Sequence, residues 1–219
     1  MLLADQHALF RAAIAAALQS QDEFEVVGEA GDGDSAVSEV RRLNPDVAVL
    51  DAGLSVRDGV AACAAIKGAG LTTRVLVASD TADQQVLLAA VQAGADGYTT
   101  KQARLADLVG AVRLVSRGDA CVPSNMLGAL LHDLIERRRE EDAALERFSQ
   151  LSRREREVIS LLVQGHDHDA IGKLLVISPE TSRTHIQNSL SKLGVHSRLE
   201  ATALVMQHNL LERFPAGRG

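Results

Sequence analysis

Four polar residues, Asp5, Asp51, Ser79 and Lys101, each close a short apolar run of this 219-residue chain: LLAD, VAVLD, RVLVAS and GYTTK. Two carboxylates, a hydroxyl and an ammonium form a set suited to a carboxylate that becomes phosphorylated. Mg²⁺ at the two carboxylates, Asp5 and Asp51, would neutralise the incoming phosphate. Lys101 and Ser79 would hold its oxygens. Each residue alone is unremarkable, because strand ends are often polar. The four in order are much harder to obtain by chance.

A second group lies in the C-terminal third. Ser178-Pro179-Glu180-Thr181 reads as a helix start, with Ser178 as N-cap and Pro179 at a position where no N–H is needed. Beyond it, Ser182, Ile186, Ser189, Leu190 and Leu193 share one face, and Glu180, Arg183, Thr184, Gln187 and Ser191 share the opposite one. Arg183 offers two donors to guanine, Gln187 matches the N6/N7 edge of adenine, and Thr184 is small enough to meet a thymine methyl. Thr181, His185 and Lys192 are better placed for phosphates, which position a protein without reading sequence. A solvated helix in an ordinary bundle explains the stripe alone equally well. The neighbouring helices favour DNA.

Those helices follow from apolar spacing. Val158, Ile159, Leu161 and Leu162 line one side of a helix that stops at Gly165, and Ala170, Ile171, Leu174 and Leu175 are the expected buried set of a shorter second helix. With the polar-striped third helix this is a helix-turn-helix arrangement. The N-terminal part alternates strands near 2–5, 24–29, 47–51, 74–79 and 97–100 with helices near 7–19, 35–43, 59–69, 83–93 and 104–117. Runs such as VAVLD and RVLVAS read as strands buried on both faces of a parallel sheet. The predicted fold is α/β: a flavodoxin-like, doubly wound five-stranded sheet, then an all-α helix-turn-helix domain. Ligands of such sheets bind at the carboxyl ends of the strands, where the four polar residues lie. Domains are expected at 1–120 and 149–213, joined by a helical linker over 121–148 in which Met126, Leu127, Leu130, Leu131, Leu134 and Ile135 keep helical spacing.

The tail closely resembles the C-terminal domain of NarL/FixJ (LuxR-type) bacterial transcription regulators, through LSRREREVISLLVQG, AIGKLL and SPETSRTHIQNSLSKLGVHSR. That resemblance places Arg183, Thr184 and Gln187 where the family reads bases, and the helix near Leu199–Gln207 where it pairs two domains. Ser182 stands where the family has an apolar residue, which implies looser packing under the recognition helix. The first half resembles the receiver domain of two-component response regulators. The matching segments are LLADQH, NPDVAVLD, Asp58-Gly59, RVLVAS and AGADGYTTK. The resemblance implies Asp51 as phosphoacceptor, Ser79 and Lys101 as phosphoryl contacts, and Tyr98 as the aromatic switch. It also implies a sensor histidine kinase as partner. Two departures stand out. The family has adjacent acids after strand one, whereas this chain has Asp5-Gln6, which implies weaker Mg²⁺ binding. Leu54-Ser55 replaces the usual Met-Pro.

Composition fits a two-part cytoplasmic regulator. Only Cys63 and Cys121 occur, no run approaches transmembrane length, and no signal peptide is evident. The net charge of −6 is uneven: residues 1–120 carry 10 basic and 16 acidic side chains, and residues 149–219 carry 9 and 7. So small a positive excess implies weak, salt-sensitive binding by one copy and favours a homodimer on paired half-sites. The rivals are a phosphorylation-independent receiver serving as a constitutive dimerisation or ligand-sensing module, and a partner-binding phosphate sink without DNA binding. A small-molecule-sensing domain fits poorly, with no Trp and one Tyr to build a pocket, and nothing beyond self-dephosphorylation at Asp51 suggests an enzyme. His166-Asp167-His168-Asp169 reads as a capping segment rather than a metal cluster, and Gly31 and Gly33 as turn residues rather than a phosphate loop.

Overall fold

In the computed structural model, which describes residues 1–214, strand and helix alternate through the first half of the chain. The elements are β1 (Leu2–Ala4), α1 (Ala8–Gln19), β2 (Gly28–Ala30), α2 (Gly33–Leu43), β3 (Val47–Asp51), α3 (Gly59–Gly68), β4 (Arg74–Ser79), α4 (Gln84–Gln92), β5 (Gly97–Thr100) and α5 (Leu105–Arg117). The strands pair in parallel in the order β2-β1-β3-β4-β5, the expected doubly wound sheet.

Side chains of a strand point alternately to its two faces, and the packing follows that period. Leu2, Ala4, Ala48, Leu50, Val75, Val77 and Tyr98 enter one core with α2, α3 and α4, through residues such as Val40, Ile66 and Leu87. Leu3, Val47, Val49, Leu76 and Ala78 enter the other with α1 and α5, through Ile14, Leu18, Leu108, Val112 and Val115. Both faces of the central strands are covered, which is why they read as unbroken apolar runs. Gly59 is a steric requirement beside the end of β3, since a Cβ there would stand 2.1 Å from the carbonyl oxygen of Asp51.

The second strand is shorter than its sequence suggests. The apolar stretch from Phe24 predicts a strand over 24–29, but regular strand covers only Gly28–Ala30, in register with Leu2–Ala4, while Val27 and Glu25 still exchange backbone hydrogen bonds with Met1. β2 is an edge strand and β1 offers it three partners; Phe24 and Val26 instead pack against the α1/α5 core.

Residues 124–149 form one continuous 26-residue helix, α6 (Ser124–Ser149). Met126 and Leu130 of its first half pack into the α2–α4 core, and Phe148 near its end joins a core of the tail. The chain divides into two compact units at Leu134/Ile135, within this helix. Its charged middle carries ion pairs at helical spacing, Arg138 with Asp142 and Arg139 with Glu136.

The tail unit contains α7 (Arg153–Val163), α8 (His168–Leu175), α9 (Pro179–Leu193), α10 (Arg198–Gln207) and a final turn, α11 (Leu210–Arg213). Ser152 and Glu155 form a reciprocal capping box at the start of α7. Gly165 (φ +90°) and Gly194 (φ +69°) supply left-handed turns after α7 and α9. Val158, Leu162, Ile171 and Ile186 are the core of the α7–α9 arrangement. Leu174, expected to be buried, is half exposed, because Ile171 and the partly buried Leu175 already fill the inner face of this two-turn helix.

Ser182 is fully buried beneath α9, and its hydroxyl has no hydrogen-bond partner. Ser189, two turns further along the same face, donates to the His185 carbonyl at 2.7 Å. An unsatisfied buried hydroxyl costs about 1–3 kcal/mol. Ser182→Ala is therefore expected to stabilise the tail by about 1 kcal/mol, read as a raised midpoint in denaturant with an unchanged slope.

Candidate functional site

The sheet brings Asp5, Asp51, Ser79 and Lys101 to the carboxyl edge as the sequence implies. Asp5 follows β1, Asp51 and Ser79 close the adjacent β3 and β4, and Lys101 follows β5. The Lys101 backbone N–H donates to the Ser79 carbonyl at 2.8 Å, extending the β4–β5 ladder to the site. The Lys101 ammonium lies 2.7 Å from Asp5 Oδ2 and 2.8 Å from Asp51 Oδ1, with Asp80 Oδ1 at 3.3 Å and the Phe10 ring beneath it. Burial alone would lower the Lys101 pKa. The ion pairs with Asp5 and Asp51 outweigh that and hold it above the usual lysine range, so the site keeps its cation at neutral pH.

Asp51 is 2 % exposed. Its Oδ1 also accepts from the Gly53 N–H at 3.1 Å, while Oδ2 is buried without a partner. A carboxylate fixed through one oxygen with the other unsatisfied has capacity left for a ligand. Ligand atoms of Asp5, Asp51 and His7 lie within 4.8 Å of one another, and that donor set fits a divalent cation. Gln6, exposed, has its side-chain nitrogen 4.0 Å from where a Cβ of Gly53 would stand.

Tyr98 is 1 % exposed, more buried than a surface aromatic would be. Its hydroxyl donates toward the carbonyls of Thr81 (3.1 Å) and Asp83 (3.4 Å). The ring therefore ties β5 to the loop that leaves Ser79. Sequence reasoning missed three neighbours of the acids: His7, Asp80, and Arg11, whose guanidinium donates to the Asp5 carbonyl at 2.6 Å. The first two lie within two positions of assigned residues, which is the available signal. Arg11, one turn into α1, gives none. Cys63, by contrast, is inert: burial pushes its thiol up to about 11.

On α9, Ser178 accepts from the Thr181 N–H at 3.1 Å and Pro179 occupies the first turn. Glu180, Arg183, Thr184, Gln187 and Ser191 are all exposed, while Ser182, Ile186, Ser189 and Leu193 are buried, so the two faces divide as their spacing implies. The Thr184 hydroxyl donates to the Glu180 carbonyl at 3.0 Å, which leaves the methyl as its outward chemistry. Arg183 Nη2 lies 2.8 Å from His168 Nε2. His168 belongs to the histidine-rich segment, whose Asp167 caps α8 through the Ala170 N–H.

Of the residues expected at phosphates, Thr181 is exposed, with its hydroxyl 3.0 Å from that of Ser178, and His185 is half buried. The Lys192 ammonium is bound to Glu155 Oε2 at 2.8 Å. It thus neutralises the buried acid of the α7 capping box, a tie between residues 37 apart that no local pattern reveals. Burial raises the Glu155 pKa, but the Lys192 and Ser152 hydrogen bonds prevail and the net shift is downward. A depressed carboxylate adds stability above its unfolded pKa of about 4.3 and loses it as pH falls through the lower folded value. Glu155→Gln is expected to destabilise the tail at pH 7 by about 1–2 kcal/mol, discounted because Lys192 is partly solvated. The deficit should shrink on acidification below about pH 4, followed by urea unfolding across that range.

Comparison with known proteins agrees with both halves. Residues 1–113 match the response regulator receiver domain, and residues 149–205 match the bacterial regulatory proteins of the luxR family. The chain is 34 % identical over 212 residues to "Probable transcriptional regulatory protein NarL" of Mycobacterium tuberculosis, covering 97 % of this chain and 95 % of that one. The chain belongs to the NarL/LuxR family of two-component response regulators. Response regulator protein VraR of Staphylococcus aureus is 31 % identical across 97 % of this chain and 98 % of its own. The crystal structure of response regulator ChrA, of a heme-sensing two-component system, is 32 % identical, with a TM-score of 0.50 over 95 % of this chain and 96 % of that one. As a response regulator of this family, the protein is a DNA-binding transcription regulator rather than an enzyme. Among the described residues, no helix is long and apolar enough to cross a membrane.

Proposed function

We propose that the receiver is phosphorylated on Asp51 and that this change governs dimerisation and promoter binding by the helix-turn-helix. The observation that carries the reading is the Lys101 ammonium, seated between the carboxylates of Asp5 and Asp51 while Asp51 Oδ2 remains unpartnered. An Asp51 oxygen attacks phosphorus, and the bond to the donor, a phosphohistidine of a sensor kinase or an acyl phosphate, breaks with its electron pair leaving on the donor. Lys101 then turns its charge from the carboxylates to the phosphoryl oxygens, and the Ser79 hydroxyl donates to another. Mg²⁺ bound by Asp5 and Asp51 would supply further charge neutralisation. Gln6 adds none, so Mg²⁺ binds more weakly than at a site with a third carboxylate, and in that respect the receiver is atypical.

Activation is a shift between two receiver states, with the phosphorylated form favouring one. The Tyr98 hydroxyl donates to the Thr81 and Asp83 carbonyls, which belong to the loop that must move if Ser79 moves. Domains at 1–120 and 149–213, joined through 121–148, divide the labour. Arg183, Thr184 and Gln187 read bases, Thr181 and His185 contact phosphates, and Lys192 lends its charge nearby while pairing Glu155. The protein acts as a homodimer on double-stranded DNA.

Intact mass after incubation with Mg²⁺ and acetyl phosphate tests the chemistry. One added phosphate on the native chain and none on Asp51→Asn is the expected result. The same experiment addresses a second reading, a phosphate-independent receiver, favoured by Gln6 and by the saturation of Lys101 with Asp5, Asp51 and Asp80. Absence of the adduct at every cation and donor concentration supports that reading.

A further inference from the structure

We propose that His7 is a third protein ligand of the cation at the acidic sheet edge, so that the site prefers a transition-metal dication of the Mn²⁺ or Zn²⁺ class over Mg²⁺. The inference rests on the reading of Asp5 and Asp51 as a cation site, and adds the ligand and the metal class.

Three observations support it. One ligand atom from each of Asp5, His7 and Asp51 falls within a 4.8 Å cluster. Bonds of about 2.0–2.2 Å from one ion to nitrogen and oxygen ligands span nearly that separation. Second, the His7 side chain has no structural employment in its own helix. It stands at the N-cap of α1 in extended conformation, yet makes no side-chain capping hydrogen bond. Its imidazole Nδ1 instead turns to Asp5 Oδ1 at 3.1 Å, and its backbone N–H donates to the same oxygen at 2.7 Å, which fixes the ring's origin beside the acid. Third, Asp51 Oδ2 is buried and unpartnered, an open acceptor in the same cluster.

The chemistry sets the metal class. An all-oxygen site suits Mg²⁺, which dehydrates reluctantly and takes carboxylates and water. Imidazole nitrogen is a softer donor, favoured by first-row transition dications. At Gln6, beside Asp5, a neutral amide stands in place of a second charge, so the site is left with two carboxylates and an imidazole. Lys101 holds the same carboxylates, so any cation must compete with an ammonium. A ligand that adds nitrogen affinity offsets that competition where an oxygen-seeking ion gains less.

Mn²⁺ titrations followed by electron paramagnetic resonance, with Mg²⁺ and Zn²⁺ as competitors and no phosphoryl donor present, test the proposal on the full chain. Native protein is expected to bind Mn²⁺ with a nitrogen hyperfine coupling in the pulsed spectrum. His7→Ala, at an exposed position, should lose that coupling and weaken Mn²⁺ by at least about tenfold, while Mg²⁺ affinity changes by less than about twofold. Gln6→Asp should raise Mg²⁺ affinity with or without His7. Undiminished Mn²⁺ binding in His7→Ala, or a nitrogen coupling that survives in it, overturns the proposal. So does Mn²⁺ binding that persists in Asp51→Asn, since the ion then lies elsewhere. Phosphorylation of Asp51 by acetyl phosphate and Mg²⁺ in His7→Ala at the native rate, with Mn²⁺ binding also unchanged, removes the role of His7 and leaves Asp51 as phosphoacceptor.

Discussion

Arg183→Ala is expected to erase sequence preference at the base pair it reads while leaving the tail folded. The side chain is exposed and its hydrogen-bond partner is the His168 ring, so truncation leaves no buried group unsatisfied. A bidentate contact to guanine discriminates against the wrong base by about 1–3 kcal/mol, about 5- to 150-fold per site. In a dimer the loss applies at both half-sites, so selection of a preferred fragment over bulk DNA falls by the square of that factor. The salt slope should change little, because the assigned contact is to a base and not to a phosphate. Gln187→Ala should act similarly at an adenine. Selection from a random-sequence pool, with titration at two salt concentrations, separates loss of a base contact from loss of a phosphate contact. Retention of native sequence preference in both variants contradicts the assignment of the reading face.

Lys101→Ala carries the largest expected effect on the receiver. Asp5, Asp51 and Lys101 are each less than 10 % exposed at the side chain, and removal of the ammonium leaves two buried carboxylates facing each other. Breaking a buried ion pair by deleting one partner costs about 3–5 kcal/mol. Calorimetry should show the N-terminal unit unfolding at a markedly lower temperature than in the native chain, with the tail transition unmoved. Added divalent cation should restore part of the loss, because it replaces the lost charge. An adduct on Asp51 in this variant should fail to change DNA affinity, because nothing carries the charge of Lys101 to the phosphoryl oxygens. A native-like transition temperature in the absence of cation contradicts this account of the site.

Much of this was legible in the chain because the relevant physics is local. VAVLD and RVLVAS read as strands covered on both faces, and the sheet order then placed Asp5, Asp51, Ser79 and Lys101 at one edge. The α9 stripe was legible for the same reason: a helix that buries Ile186 and Leu193 must expose Arg183 and Gln187. Ser182 was visible as a polar residue in an apolar position, and the structure leaves its hydroxyl without a partner. What escaped depends on residues distant in the chain. Lys192 pairs with Glu155 across 37 positions, and β2 takes its register from Leu2–Ala4, more than 20 positions away. Leu174 shows the limit of periodicity in a two-turn helix, where Ile171 and Leu175 suffice to cover the buried side. His7 and Asp80 were hidden by proximity, each standing beside a residue whose role was already apparent.

The central claim, that Asp51 chemistry controls DNA binding, is tested most directly by one paired titration. The native chain and Asp51→Asn, each with and without acetyl phosphate and divalent cation, are titrated against a promoter fragment selected by the native protein, with the adduct quantified by mass in the same samples. The account predicts that affinity rises by about 5- to 150-fold in step with the adduct on the native chain and does not respond in Asp51→Asn. Equal affinity with the adduct present, or an equal response in Asp51→Asn, would contradict it.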